Sequence, residues 1–191
     1  MGRPKESLPF RGTTFLGHAV DLLLDCAWPV VVVAREPGQQ LPPYNIESDT
    51  VADETPGSGP LGAIATGMEA LLGSGNASPA DAVFVTGCDH PYLTGESVSW
   101  LANQLGDAQL AIPRADGHLQ ALCAVYRLDT LPVIRQMLKE GIDTPRSLAE
   151  RVRTNFVDEA KLRSFDPAMQ FWKSVNTPEE FTALEKQGGS R

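Results

Sequence analysis

Long apolar runs are absent from this sequence. Its longest aliphatic stretch, Trp28 to Ala34, is much shorter than the roughly 18 residues that a membrane-spanning helix needs. The opening residues, MGRPKESLPF, also lack the apolar core of a signal peptide. These absences predict a protein that neither spans a membrane nor is secreted, and we expect it in the cytoplasm.

Cysteine and histidine are scarce, at three residues each. The cysteines are odd in number and widely spaced, with no C-x-x-C, so neither a disulfide framework nor a zinc site is predicted. The composition, 42% hydrophobic and 21% charged, excludes a disordered chain, and 191 residues can bury one substantial core. We therefore expect a single domain over residues 1–191 in a reducing compartment.

Basic residues are fewer than acidic ones, 16 against 24, and the net charge is −8. The acidic residues are spread along the chain, and such a surface repels nucleic acid and anionic lipid. The sequence therefore predicts neither a nucleic-acid partner nor a membrane partner. If the substrate is an anion, a few local Lys or Arg side chains and backbone N–H groups must hold it.

Apolar strands and amphipathic helices alternate along much of the chain. The patterns predict strands at 29–34, 50–51, 81–86, 109–113, 122–127 and 155–157, and helices at 13–24, 61–72, 94–105, 131–139, 145–152 and 178–186. Strands that are separated by helices indicate an α/β protein with a mostly parallel sheet and helices on both faces.

A glycine-rich segment, Gly57 to Gly62, formally matches G-x-G-x-x-G. A dinucleotide fingerprint follows a buried strand, whereas the residues before this segment are polar and acidic, so we set that interpretation aside. No G-x-x-x-x-G-K-[ST] sequence is present. A glycine-rich turn before a helix still offers free N–H groups and close approach to a ring or ribose. The alternative is an ordinary loop.

Asp89 follows the predicted strand 81–86 almost directly. In open α/β sheets, ligands bind at the carboxyl edge of the strands, where an aspartate can hold Mg²⁺ together with phosphate oxygens and water. The alternative is that Asp89 caps the turn at His90-Pro91, with His90 a turn residue. We interpret Cys88 as a small buried side chain.

Two further polar residues stand out at the ends of the chain. Lys5 lies just before the first predicted helix, where an isolated lysine is ordinarily exposed to solvent. Asn176 precedes the last predicted helix, at a corner between strand and helix. Thr177 as the cap and Pro178 at the first helical position explain that helix start, but they leave Asn176 unexplained.

Taken together, these segments resemble the molybdenum cofactor guanylyltransferase family. The resemblance is carried, in chain order, by Met1-Gly2-Arg3-Pro4-Lys5 with residues 8–12, Asp53 with residues 59–64, residues 86–93, residues 118–126 and residues 174–180. It implies a Rossmann-like three-layer nucleotidyltransferase fold. It also implies the transfer of GMP from GTP to molybdopterin, with Mg²⁺ as cofactor and release of pyrophosphate.

The resemblance also implies roles for individual residues. Lys5 and Asp89 are expected to be catalytic, with Asp89 and Asn176 holding the metal. The nucleotide is expected to contact Gly2, Lys5, Asp53, Gly59, Pro60, Leu61 and Asp89. The pterin side is expected to involve Arg114 and Gln120. Molybdoenzyme chaperones are further expected partners.

The chain also departs from the family pattern. The family has a first strand and a glycine-rich turn before the Met-Gly-x-x-Lys at which this chain begins, so we expect the upstream DNA to encode such a strand and turn in frame. Gly87 and Ala121 stand where the family has proline. The alternatives are a cytidylyltransferase or another NTP transferase of the superfamily, and a degenerate, non-catalytic relative that binds pterin or a chaperone.

Overall fold

The computed structural model describes residues 4–45, 47–53, 57 and 59–188, with only the backbone described for 185–188. The strands are β1 (Pro9–Phe10), β2 (Thr13–Thr14), β3 (Val31–Ala34), β4 (Asp49–Ala52), β5 (Ala82–Thr86), β6 (Leu110–Ala115), β7 (His118–Leu119), β8 (Cys123–Arg127) and β9 (Thr154–Val157). The helices are α1 (Phe15–Leu24), α2 (Gly59–Gly73), α3 (Gly95–Asn103), α4 (Leu131–Lys139), α5 (Pro145–Arg151), α6 (Glu159–Phe165) and α7 (Pro178–Gly188). Short 3₁₀ helices cover Lys5–Ser7 and Leu128–Thr130. Within the described ranges, none of the helices has both the length and the apolarity needed to cross a membrane.

The helices predicted from the sequence are all present, and side-chain caps fix where several of them begin. The Thr14 hydroxyl accepts the N–H of Gly17 at the start of α1. Thr94 and Ser97 form a reciprocal capping box at the start of α3. Helix α6, the hairpin strand β7 and the short β1–β2 pair were not predicted.

A five-stranded sheet in the order β5-β8-β6-β7, with β9 paired to β6, forms the centre of the molecule. The prediction of a mostly parallel sheet is wrong for this unit, because β8 runs antiparallel to both β5 and β6, and β7 is antiparallel to β6. Parallel pairing occurs between β6 and β9 and between β3 and β4.

The antiparallel order follows from a hairpin that the helix–strand alternation did not reveal. Asp116 and Gly117, both with positive φ, turn the chain back from β6 into β7. Asp-Gly is a strong signal for a two-residue hairpin turn. The segment from there to β8 is also too short for the crossover of a dozen or more residues that a parallel connection requires.

Helices cover both faces of the five-stranded sheet, which confirms the expected three layers. Alternate residues of β6 and β8 point to opposite faces, so that Ile112 and Tyr126 pack with α2, α4 and α5. Ala111 and Val125 pack with α3 and α6 on the other face. Strands β6 and β8 therefore contribute side chains to an apolar core on each face of the sheet.

Strands β3 and β4 form a separate, two-stranded parallel sheet. Within the described residues, β3 pairs only with β4, and β5 pairs only with β8. Helix α1 packs beneath this small sheet through Leu16 and Val20, which contact Val32. The expectation of an additional strand and turn concerns residues outside this sequence and stays a prediction.

Candidate active site

Three side chains that are far apart in the sequence converge at one end of the structure. The Lys5 Nζ lies 2.8 Å from Asp89 Oδ2 and 2.6 Å from Asn176 Oδ1. Lys5 is about one-third exposed and Asp89 about one-fifth exposed, so this ion pair is partly shielded from water. An ammonium group held between a carboxylate and an amide oxygen shows that these two oxygens can share a cation.

The fold brings these residues together through three short segments. Lys5 opens the 3₁₀ helix that follows Pro4, and Asp89 lies in the turn after β5. Asn176 lies two residues before the start of α7. The N–H of Val175 donates to the carbonyl oxygen of Asp89 at 2.9 Å. This backbone bond joins the loop before α7 to the loop after β5, so the side chains of Asp89 and Asn176 are held side by side.

Gly87 leaves room for the Asp89 carboxylate. A Cβ at position 87 would lie 2.7 Å from Asp89 Oδ1 and 3.5 Å from the His90 ring. Real Cβ atoms essentially never approach other atoms as closely as the first of these distances. This chain has glycine where the family has proline, and the Asp89 carboxylate packs closely against the backbone at that position.

His90 and Cys88 flank Asp89; His90 is buried, whereas Cys88, expected to be buried, is half-buried. The His90 Nδ1 is 3.2 Å from the carbonyl oxygen of Gly87 and 3.7 Å from Asp89 Oδ1. Burial lowers the pKa of His90 despite the opposing effects of Gly87 and Asp89. Partial burial, with Asp89 adding to it, raises the pKa of Cys88 to about 12, which suits an unreactive thiol. Both groups support the loop around Asp89 by packing.

Asn176 is itself held by neighbours that the sequence analysis did not single out. Its Nδ2 donates to the Ser174 hydroxyl at 2.7 Å, and its backbone N–H donates to Glu180 Oε2 at 2.7 Å. Glu180 also accepts the N–H of Thr177 at 3.0 Å. The T-x-x-E spacing of Thr177 and Glu180 is the signal that could have identified this arrangement.

Four of the expected nucleotide-binding residues lie just after β4 or in the first turn of α2. Asp53, after β4, is buried, and the Thr66 hydroxyl of α2 lies 3.5 Å from its Oδ1. Gly59 and Pro60 are exposed in the first turn of α2, whereas the side chain of Leu61 lies fully in the core. Leu61 could therefore contact a nucleotide through its backbone alone. Gly2 lies outside the described residues.

Arg114 and Gln120, expected on the pterin side, lie near the end of β6. The Arg114 guanidinium stacks over the ring of Phe156 at 4.6 Å from its centroid. Gln120 is half-buried, and its backbone N–H donates to the carbonyl oxygen of Pro113 at 2.9 Å. Within the part of the chain that is described, neither side chain hydrogen-bonds to the Lys5–Asp89–Asn176 cluster.

The side-chain oxygens of Asp89 and Asn176 suit Mg²⁺ by their chemistry, but they are too few to hold a metal ion without oxygens from another source. Across the described ranges, no group of three or more His, Cys, Asp or Glu side chains is arranged to hold a metal ion. Mg²⁺ commonly takes one or two protein oxygens and completes its shell with phosphates and water. Asp89 and Asn176 can supply two such oxygens, so the residues fit Mg²⁺ bound together with a nucleotide.

The sequence of this chain matches a known protein family. Residues 1–155 match the model of the MobA-like NTP transferase domain. The chain belongs to the MobA-like NTP transferase family. It is 37% identical over 162 residues to a protein of Mycobacterium tuberculosis named a probable molybdenum cofactor guanylyltransferase, covering 83% of this chain and 73% of that protein. It is 25% identical over 191 residues to the molybdenum cofactor guanylyltransferase of Syntrophotalea carbinolica, covering 98% of this chain and 86% of that one.

Solved structures show the same nucleotidyltransferase fold as this NTP transferase. Molybdopterin-guanine dinucleotide biosynthesis protein A from Archaeoglobus fulgidus superimposes with a TM-score of 0.77 at 20% identity, covering 100% of this chain and 93% of that one. The 2-C-methyl-D-erythritol 4-phosphate cytidylyltransferase from Thermus thermophilus gives a TM-score of 0.69 at 17% identity, covering 97% and 94%. The α/β nucleotidyltransferase fold expected from the sequence is thus confirmed.

Proposed function

We propose that this NTP transferase moves GMP from GTP to molybdopterin, or to the molybdenum cofactor, and releases pyrophosphate. The observation that carries the proposal is the convergence of Lys5, Asp89 and Asn176 at distances of 2.6–2.8 Å. The family and the names of the relatives support the identity of the two substrates.

In this reaction, a terminal phosphate oxygen of the pterin forms a bond to the α-phosphorus of GTP. The bond from that phosphorus to the oxygen bridging to the β-phosphate breaks, and pyrophosphate leaves with the electron pair. Such transfers depend on positioning and on neutralising charge rather than on covalent catalysis by the protein. Mg²⁺, held by Asp89 and Asn176, would supply Lewis-acid stabilisation of the phosphates.

Lys5 would supply the second positive charge. Its ammonium group now contacts Asp89 and Asn176, and a triphosphate offers oxygens that attract it more strongly than the amide does. Lys5 would turn toward the phosphates when a nucleotide binds and leave the carboxylate of Asp89 free for Mg²⁺. Asp53 and the start of α2 would contact the guanosine, and Arg114 and Gln120 would contact the pterin.

The expected setting of this activity is the cytoplasm, and molybdoenzyme chaperones are proposed partners for delivery of the product. The free thiol of Cys26 is exposed, which fits a reducing compartment. Of the described residues, Trp28 is the most exposed large apolar side chain, at 69%.

The direct test is release of pyrophosphate from GTP by this chain in the presence of molybdopterin and Mg²⁺. Parallel reactions with CTP and ATP decide the base, since a cytidylyltransferase would release pyrophosphate from CTP instead. Thermal shifts with the three nucleotides report binding separately, because a ligand of the folded state raises its stability. Binding without turnover would favour the non-catalytic alternative and overturn the proposal.

Asp89→Asn is expected to reduce Mg²⁺-dependent turnover about 10²–10³-fold, the usual loss for removing a well-placed electrostatic contributor. The substitution keeps the shape of the side chain and removes the charge that binds the metal. Asp107→Asn makes the same change at an exposed turn and should leave turnover unaltered. Near-normal turnover in Asp89→Asn would contradict the metal assignment, and a large fall in melting temperature would indicate a capping role.

A further inference from the structure

We propose that Ser174 and Glu180 are positioning residues, which together hold the Oδ1 of Asn176 toward Lys5 and Asp89. The proposal rests on the proposed function for its catalytic consequence, but the geometry can be tested without activity. Its basis is the set of hydrogen bonds around Asn176, an exposed residue whose side chain would otherwise rotate freely.

The orientation of the Asn176 amide follows from the chemistry of its two neighbours. A lysine ammonium group has donors only, so the amide atom 2.6 Å from Lys5 Nζ must be the oxygen. The nitrogen then points the other way, toward the Ser174 hydroxyl at 2.7 Å, which can accept its N–H. Because a hydroxyl can donate as well as accept, Lys5 sets which amide atom faces the cation, and Ser174 anchors the amide in that orientation.

Glu180 holds the backbone of Asn176 in place through hydrogen bonds. Its Oε2 accepts the N–H of Asn176 at 2.7 Å and that of Thr177 at 3.0 Å, and the Thr177 hydroxyl accepts the N–H of Glu180 at 3.2 Å. The hydrogen bonds from Asn176 and Thr177 hold the pKa of Glu180 below its ordinary value, and the Lys5 charge adds to this. These hydrogen bonds join the first turn of α7 to Asn176 and Thr177, the two residues before it.

Loss of either support would weaken the site through Asn176 rather than through the fold. Without Ser174, the amide nitrogen of Asn176 would lose the hydrogen bond that anchors it, and the exposed side chain could turn its oxygen away from Lys5 and Asp89. Without Glu180, the loop before α7 would keep the Val175–Asp89 backbone bond but lose the two bonds that follow it. Residues that orient metal ligands typically contribute about 10–100-fold in metal affinity or activity.

The first experiment reads the Asn176 amide directly in the free protein. Its side-chain NH₂ signals in a ¹⁵N–¹H spectrum are assigned by their loss in Asn176→Asp. We expect these signals to shift and to exchange faster with water in Ser174→Ala, and to stay near their original positions in Ser174→Thr, which keeps the hydroxyl. Unchanged signals in Ser174→Ala would overturn the role of Ser174, whether or not the chain has transferase activity.

The second experiment measures the apparent affinity for Mg²⁺ during GTP turnover. Ser174→Ala and Glu180→Ala are each expected to raise the half-saturating Mg²⁺ concentration about 10-fold and to change kcat at saturating Mg²⁺ little. Ser174→Thr should restore the wild-type value. Glu179→Ala removes the neighbouring charge in the same helical turn, and no side-chain hydrogen bond of Glu179 appears within the described chain, so it serves as the matched control.

The outcomes separate the two proposals. A wild-type chain that releases no pyrophosphate would contradict the proposed function while leaving the spectroscopic test intact. If Glu179→Ala and Glu180→Ala weaken Mg²⁺ binding equally, the loss of negative charge explains the effect, and the inference for Glu180 fails. If Ser174→Thr fails to rescue, the hydroxyl is not the group that matters, and the inference for Ser174 fails.

Discussion

Lys5 is a cation in a protein whose net charge is −8. The position of its ammonium group depends on the groups close to it more than on the net charge of the protein. Sequence reasoning alone favours an exposed lysine at this position. The structure instead places its ammonium group within hydrogen-bonding distance of Asp89 and Asn176. At the residue scale, the hydrogen bonds of Lys5 to Asp89 and Asn176 outweigh the general preference of lysine for solvent.

Lys5→Ala is expected to weaken GTP binding far more than guanosine binding, because the ammonium group would meet phosphates rather than the base or ribose. Calorimetric titration of both ligands into both proteins measures the difference. Lys161→Ala, at an exposed lysine of α6, should change neither affinity. Equal losses for GTP and guanosine would refute a role at the phosphates.

Gly87→Ala is expected to lower kcat/KM about 10- to 100-fold with little change in melting temperature. The added Cβ would push Asp89 Oδ1 from its place, and displacements near 1 Å can cost about 10² in rate. Because Asp89 Oδ1 is at the end of a side chain, it can move without disturbing the surrounding fold. Gly73→Ala, where a Cβ meets nothing within 4 Å, is the control. Unaltered kcat/KM in Gly87→Ala would show that Asp89 tolerates the shift.

At the scale of elements, the two sheets differ in how well they are supported. Strands β6 and β8 are almost wholly buried and pair with neighbours along their length. Strand β3 alternates between buried and half-buried residues, and β4 is half-exposed or exposed. A two-stranded sheet has few contacts of its own and depends on the packing of α1 and α2.

Hydrogen exchange followed by mass spectrometry should therefore show that β3 and β4 open before the five-stranded sheet. We expect amides in Val31–Ala34 and Asp49–Ala52 to exchange through local opening, and those in Leu110–Ala115 and Cys123–Arg127 to exchange last. Strand β9, also short and parallel but paired to β6, is the internal comparison and should be better protected. Equal protection of all strands would mean that the two sheets unfold as one unit.

At the scale of the whole molecule, two histidines, the half-buried His18 and the buried His90, couple stability to pH. Burial lowers the pKa of His18, with Arg11 acting in the same direction and Asp21 opposing it. Burial likewise lowers the pKa of His90, while Lys5 adds to the effect and Gly87 and Asp89 oppose it. Below the ordinary histidine pKa of 6.5, the unfolded chain then binds more protons than the folded one.

The free energy of unfolding should accordingly fall as pH drops below 6.5, and be fully retained above it. Melting temperatures measured between pH 8 and pH 5 test this. His18→Gln removes one titrating group away from the Lys5–Asp89–Asn176 cluster and should flatten the pH dependence. His118→Gln, at an exposed position of β7, should leave the dependence as it is. An unchanged slope in His18→Gln would contradict a contribution from His18.

The sequence by itself determined the local structure, because local signals are physical constraints on neighbouring residues. Thr14 and Thr94 begin helices where their hydroxyls can cap backbone N–H groups, and the apolar run before Ala34 forms a strand. The ordered motifs also identified the family, which the comparisons confirm. Lys5, Asp89 and Asn176 were named from the same motifs.

Only the tertiary structure decided how these pieces meet. The strand order, with β8 antiparallel between β5 and β6, depends on a hairpin turn and on long-range pairing rather than on helix–strand alternation. The close packing of the Asp89 carboxylate against Gly87, and the hydrogen bonds that hold Asn176, involve atoms whose distances no spacing in the sequence specifies. A cation site needs oxygens within about 3 Å of one point, and folding is what brings residues from both ends of the chain to that distance.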